Sequence, residues 1–370
     1  MKEGWEYKKL GEIVSFISDG DWIESRYQSD NGIRLIQTGN IGNGIFKAKE
    51  DKPHYISEGT FQELNCTEIY ENDCLVSRLP DPIGRSCIIP DIGNRMITAV
   101  DCTILRFNAD FLTNFFVYYT LSSTYSKLIS KKTTGSTRKR ISRKNLESII
   151  IPVPPLSEQK RIVEELDLLS SIIEKQKQQL KELDTLAQSI FYDMFGDPVT
   201  NEKGWEVRPF KDLFKLQSGD GLRAKDFISG EYPVYGGNGI SGYHNEYNKT
   251  DKHIIIGRVG VYCGNVRYVE GKFWLTDNAF DTTFDKKKWD YVFVRALLNS
   301  INLHQYANHA AQPVISNLGL KNVPVILPSL HLQNLFASKI EAIEKQKEAI
   351  TKSIEETQKL FDYTMDKYFG

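Results

Sequence analysis

Residues 151–196 read IPVPPLSEQKRIVEELDLLSSIIEKQKQQLKELDTLAQSIFYDMFG, and residues 325–370 read VILPSLHLQNLFASKIEAIEKQKEAITKSIEETQKLFDYTMDKYFG. Each stretch opens on a short apolar, strand-like run that proline ends, at Pro154-Pro155 and at Pro328. Forty residues then follow without proline or internal glycine, which reads as one long helix. In the first, positions 162, 166, 169, 173, 176, 180, 183, 187, 190 and 194 step alternately by four and three. They hold Ile, Leu, Leu, Ile, Gln, Leu, Leu, Ala, Ile and Met. That is a heptad seam with one polar break at Gln176. Adding 174 gives Phe336, Ile340, Ile343, Lys347, Ile350, Ile354, Thr357, Phe361, Thr364 and Tyr368, a more polar seam in the same register. Ser157, followed by Glu158-Gln159, reads as the N-terminal cap, and Gly196-Asp197-Pro198 as the stop. A helix of 40 residues is roughly 60 Å long and needs a partner of similar length along its apolar stripe. The other helix is the obvious candidate, running antiparallel. The remaining option is that each helix packs on its own domain.

Working outward, the rest of the chain is also a duplication. Gly4-Trp5-Glu6 recurs as Gly204-Trp205-Glu206, and Val76-Ser77-Arg78 aligns with Ile256-Gly257-Arg258 at an offset of 180, where Gly84 meets Gly264. Ile141-Ser142 aligns with Ile315-Ser316 at 174, and that offset holds without a gap to Phe195-Gly196 and Phe369-Gly370. Each copy therefore has a first part rich in glycine, aromatic residues and turn signals, then a helix. Ile33–Ile36, Ser86–Ile89, Thr103–Phe107, Ile149–Val153, His253–Ile256 and Asn322–Leu327 read as strands, and Asp110–Ser130 and Trp289–Asn302 as helices. The expected organisation is α+β: a domain over 1–155, a helix over 156–196, a second domain over 197–329 and a second helix over 330–370, the two domains pseudo-symmetric and separated by the paired helices.

Composition narrows the function. The chain has 370 residues, 26% charged and 40% hydrophobic, with a formal net charge of −1. That suits a folded soluble protein and excludes a wholly disordered one. No apolar run approaches the ~18 residues of a membrane span, and MKEGWEYKKL carries no signal-peptide core, so a cytoplasmic protein is expected. Five irregularly spaced cysteines without a CxxC read as reduced, half-buried thiols, not as a zinc site or disulfide framework. No phosphate-binding glycine loop, dinucleotide fingerprint or nuclease-like acidic cluster is found, so no catalytic residue is assigned.

These motifs together resemble the specificity (S) subunit of type I restriction-modification systems. The residues that carry the likeness are Gly4-Trp5 and Gly204-Trp205; Gly135-Ser136-Thr137-Arg138-Lys139-Arg140-Ile141-Ser142 with its counterpart Ala310-Ala311-Gln312-Pro313-Val314-Ile315-Ser316; Ile151–Gln159; and Phe195-Gly196. The second copy departs from the pattern at Ser329 and Leu332. The resemblance implies two target recognition domains joined by two long antiparallel helices, each domain reading half of a bipartite double-stranded DNA target. It implies two adenine-methylating modification subunits docked on the helices, and two restriction subunits where present. It places S-adenosylmethionine on the modification subunit, and ATP and Mg on the restriction subunit, with no cofactor or metal on this chain. Competing readings are a specificity subunit for one fused methyltransferase-nuclease, and a coiled-coil scaffold that binds no DNA.

The residues favour DNA binding only locally. The helices carry 11 basic and 15 acidic residues, and the domains are barely basic. One cluster stands out: Lys131, Lys132, Arg138, Lys139, Arg140, Arg143 and Lys144 put seven cations in fourteen positions around Gly135, Ser136 and Thr137. Lys and Arg neutralise phosphates, and Arg can grip a guanine edge. In the second copy, Asn308, His309 and Gln312 are nearly uncharged, and amide side chains suit adenine edges, so the two half-sites are expected to differ. Arg78 and Arg258 either reach DNA or serve as ion-pair partners; Arg85 and Asn265 stand at the same choice. Asn40 and Asn238 lie in glycine-rich turns, where DNA contact competes with a positive-φ turn role. Trp5 and Trp205 read as core anchors.

Overall fold

The computed structural model describes residues 2–135, 139–308 and 312–370. The chain divides into two compact units, residues 1–175 with 353–370 and residues 176–352, and both divisions fall inside the long helices. Those helices span Leu156–Phe195 and Leu330–Phe369. The first begins at Leu156, so Ser157 lies inside its first turn and does not cap it. The Pro155 carbonyl instead accepts the Glu158 and Gln159 N–H groups at 2.8 and 3.0 Å. In the second copy Ser329 replaces that proline. Its carbonyl takes the Gln333 N–H at 3.1 Å and its hydroxyl the Leu332 N–H at 3.5 Å, two ways of satisfying the same orphan donors.

The first unit is built on an antiparallel four-stranded sheet. Its strands lie in the order Val14–Asp19, Cys102–Phe107, Cys74–Ser77, Ser86–Ile88. Cys74–Ser77 is buried throughout, as a central strand covered on both faces should be. The segment 110–130 is not one helix but two, Thr113–Thr120 and Ser123–Lys132. The Ser122 hydroxyl accepts the Tyr125 N–H at 3.1 Å, so a serine pair restarts the helix where a single one was expected. Glu6–Lys9 pairs with Ile150–Val153 and fastens the start of the domain to the strand that enters the long helix. A second sheet of five short strands carries Ile33–Ile36 near its centre.

The second unit repeats the four-stranded sheet with the same neighbour order: Lys215–Ser218, Ala279–Thr283, Lys252–Gly257, Val266–Glu270. Val207–Pro209 pairs with Pro324–Ile326 as Glu6–Lys9 pairs with Ile150–Val153. The accessory sheet differs, with three strands in place of five. The shifting sequence offset is thereby explained: the common sheet is kept and the accessory sheet carries the insertions.

The heptad seams face inward in both units. Ile162, Leu166, Leu169 and Ile173 are buried, and Ile162 and Leu166 share a core with Met365, Tyr368 and Phe369. In the second unit Phe191, Phe195, Phe336, Ile340 and Ile343 join the core of the globular part. The pairings of Asp184 with Lys347 (2.7 Å) and of Phe195 with Phe336 (centroids 5.6 Å) run in opposite chain directions, so the helical segments there are antiparallel. Asp184 thus accounts for a lysine at a seam position. Trp5 packs edge-on against Phe115, and Trp205 donates its indole N–H to the Phe195 carbonyl at 2.8 Å, so both anchor the core. All five cysteines are buried and free, more enclosed than expected. Among the described residues no helix is long and apolar enough to cross a membrane.

Two buried glutamines hold the helix starts. Gln159 accepts the Leu112 N–H at 2.8 Å and donates to the carbonyls of Asp110 (3.1 Å) and Pro154 (2.9 Å). Gln333 repeats this, accepting the Asp290 N–H and donating to the Lys288 and Pro328 carbonyls, each at 3.0 Å. The Pro-x-Leu-x-x-Gln pattern shared by the copies is therefore a clamp between helix and sheet domain.

Candidate nucleic-acid interface

The two families of sequence matches meet in space in each copy. At the end of Cys74–Ser77 the chain turns through residues 78–85. Ser77 N–H bonds to the Arg85 carbonyl (2.9 Å) and Gly84 N–H to the Ser77 carbonyl (2.8 Å). Gly257, Asn265 and Gly264 make the same turn at 2.9 and 2.7 Å. Gly84 and Gly264 have φ of +82° and +91°, and a Cβ on Gly264 would lie 2.5 Å from the His304 nitrogen, so the turn requires glycine. The downstream loop then joins it: Ile141 N–H bonds to the Arg78 carbonyl at 3.2 Å, and Ile315 N–H to the Arg258 carbonyl at 2.8 Å.

The basic segment lies beside this turn. Lys131 and Lys132 end the Ser123–Lys132 helix, where cations complement the helix dipole. Thr134 and Arg140 exchange both backbone hydrogen bonds at 2.9 Å. Ser136, Thr137 and Arg138 lie outside the described residues. Lys139 and Lys144 are exposed. Arg140 faces Asp101 at 3.4 Å and Arg143 faces Glu147 at 3.2 Å; both side chains are nearly half exposed. Such pairs are worth under about 1 kcal/mol, so the cations remain free to exchange carboxylates for phosphates. Lys132 bonds to the Ser148 hydroxyl at 2.8 Å.

Other candidates are turned inward. Arg78 is buried, ion-paired to Asp19 at 3.4 Å and bonded to the Val100 carbonyl. Its alternative reading, a structural ion pair, matches that placement. Arg85 donates to four backbone carbonyls, of Ile41, Leu79, Pro82 and Thr38, at 2.7–2.9 Å. Its desolvation pulls its pKa down from the usual arginine range. It braces the 78–85 turn against the 38–41 segment and has little left to offer a base. Asn40 is buried and has no positive φ, so the turn role does not fit it; its amide accepts the Gln37 N–H and donates to the Lys47 carbonyl, and it lines a small cleft with Arg34 and Lys49.

The second domain presents amides. Asn238 and Gln312 are exposed and line one cleft of about 890 Å³ with Arg223, Ser241, Thr276 and Asn278. The positive φ in that turn belongs to Gly239, not Asn238. Asn265 is exposed at the turn. Arg258 lies over the Phe280 ring at 5.3 Å and reaches the Asp277 carbonyl at 3.4 Å. The two copies thus keep one backbone frame and dress it differently, cationic in the first and amide-rich in the second.

A model of the family described as type I restriction modification DNA specificity domain matches residues 2–184 and again residues 202–359. The chain belongs to this family. It is 29% identical to the EcoprrI specificity subunit of Escherichia coli over 302 residues, 76% of this chain and 73% of that one. The putative MjaX specificity subunit of Methanocaldococcus jannaschii is 22% identical over 398 residues, covering 95% and 91%. The fold is that of the type I restriction-modification S subunit from M. genitalium, with a TM-score of 0.61 at 16% identity over 100% of this chain and 98% of that one.

A charge cluster on the second specificity domain's four-stranded sheet had no sequence signal, because Asp281 lies 28 residues from His253. His253 bonds through Nδ1 to Asp281 (2.9 Å) and through Nε2 to the Thr250 carbonyl (2.7 Å), and Lys249 pairs with the other Asp281 oxygen at 2.8 Å. Only an imidazolium donates through both nitrogens. The bond to Asp281 raises the His253 pKa above its ordinary value, against burial. Burial alone would raise Asp281, but the bonds from His253 and Lys249 outweigh it and hold it below the usual range. The His253 contribution to stability is present below pH ~6.5 and is lost as pH rises through its raised value. The Asp281 contribution is present above pH ~3.9 and is lost as pH falls through its depressed value. Thermal unfolding from about pH 5 to about pH 9 should show the second domain losing stability on the alkaline side, and His253→Gln should flatten that loss.

Proposed function

We propose that this chain is the non-catalytic addressing subunit of a type I restriction-modification complex. Each domain reads one half of a bipartite duplex target. The long helices set the gap between halves and carry two modification subunits that methylate adenine, with restriction subunits joining where present. S-adenosylmethionine belongs to the modification subunits, and ATP and Mg to the restriction subunits. The complex acts in the cytoplasm. The observation that carries this reading is the duplicated frame itself: the same sheet order and turn in both copies, edged by cations in one and amides in the other. A scaffold that binds only proteins has no need of two differently dressed copies. With a net charge of −1, the chain gains DNA affinity from its partners.

Exchange of residues 1–154 for the corresponding domain of a relative, followed by sequencing of methylated adenines, tests this. One half-site should change and the other should stay. A change in both halves would overturn independent reading.

A further inference from the structure

The first domain holds a cleft of about 330 Å³ outside the basic segment, lined by Arg34, Gln37, Lys49, Asp51, Lys52 and His54. Arg34 is only 4% exposed. Its Nη2 donates to the Ala48 carbonyl at 2.7 Å and its guanidinium lies 5.2 Å from the Tyr55 ring centroid. Its Nη1 is buried and has no hydrogen-bond partner among the described residues. No carboxylate among them pairs with it, in contrast to Arg78 with Asp19 and Arg106 with Asp73. A buried charge without a counter-ion is costly, and a protein tolerates one where a ligand supplies the opposite charge.

The rest of the cleft has the same sign. Lys49 and Lys52 are exposed cations on its rim, against the single carboxylate of Asp51. Lys49 has φ of +51°, and a Cβ on Gly39 would lie 2.5 Å from its ammonium nitrogen, so a glycine leaves the room that this ammonium fills. The wall is braced from within: Asn40 ties Gln37 to Lys47, and Arg85 ties Thr38 and Ile41 to the turn that receives the basic segment. Three cations, one of them buried and without a counter-ion, outnumber the one carboxylate around the cleft and favour an oxyanion such as a phosphate group.

We infer that this cleft clamps a backbone phosphate of the duplex next to the first half-site. This deepens the proposed DNA-reading role and rests on it. The cleft would fix the register of the domain on DNA while other residues read bases.

The test has two arms. In the first, thermal unfolding of the full chain is compared in inorganic phosphate and in chloride at matched ionic strength. Phosphate should raise the Tm of the wild type but not of Arg34→Met, nor of Lys49→Ala with Lys52→Ala. Arg34→Met also strips the Ala48 carbonyl of a donor, so its Tm in chloride is expected to fall somewhat; the readout is the loss of the phosphate-dependent rise. In the second arm, DNA binding of the assembled complex is measured against salt. Either variant should bind about tenfold or more weakly, and the slope of log K against log salt should fall by about 0.9 for each phosphate no longer neutralised. The lysine pair keeps the test usable if Arg34→Met does not fold. No phosphate stabilisation overturns the pocket. Phosphate stabilisation with unchanged DNA binding overturns the duplex as its occupant, assigning it to a free phosphate compound. If domain exchange leaves the methylation target untouched while phosphate still stabilises, the DNA-reading role fails and the anion pocket stands.

Discussion

Gln333→Ala is expected to destabilise the second domain by about 3–5 kcal/mol, read from denaturant unfolding. The side chain is fully buried and makes three bonds to backbone groups. Alanine leaves the Asp290 N–H and the Lys288 and Pro328 carbonyls without partners, and each buried orphan costs about 1–3 kcal/mol. It also leaves a void at a fully buried position. Gln333→Glu should be no better: it keeps the acceptor for Asp290 but sets a carboxylate against two carbonyl oxygens. Gln159→Ala should cost a similar amount in the first domain, because its three bonds match one for one. A loss under about 1 kcal/mol would mean that the helices are held by their apolar seams alone.

That clamp marks where sequence reasoning stops. Gln159 and Gln333 stand out in the alignment of the two copies, yet two of the three partners of each lie 43–49 residues away, at a distance that no local pattern encodes. The helices themselves are readable because a seam with a 3.5-residue period and no breaker has one physical solution, and the seam positions are indeed the enclosed ones. Of the eight strands in the two matching sheets, Ser86–Ile88, Cys102–Phe107 and Lys252–Gly257 were readable; the others and the order were not, since pairing depends on long-range register. Charge clustering found Lys139, Arg140 and Arg143. The repeat matches that single out Arg78 and Arg85 do not reveal that Arg78 is paired to Asp19 and the Val100 carbonyl, or that Arg85 is spent on backbone carbonyls. Charge clustering also passed over Arg34, a single arginine inside an apolar strand. What distinguishes Arg34 is the missing counter-charge, and only the fold reveals that.

The second large effect concerns the helices. Removing one heptad from each, residues 176–182 and 348–354, keeps the seam in phase and shortens each helix by roughly 10 Å. One turn of duplex is ~34–36 Å for about 10 base pairs, so the preferred gap should contract by about three base pairs. The half-site sequences should not change, because neither deletion touches a globular domain. Removing three or four residues instead breaks the seam phase and should abolish methylation at any gap.

The most direct measurement is therefore a genome-wide map of methylated adenines in cells carrying this chain and its modification subunit, made for the parent and for the heptad-deleted form. A split motif is expected in both, with the same two blocks and a gap about three base pairs shorter in the variant. An undivided motif in the parent, or an unchanged gap in a variant that still methylates, would contradict it.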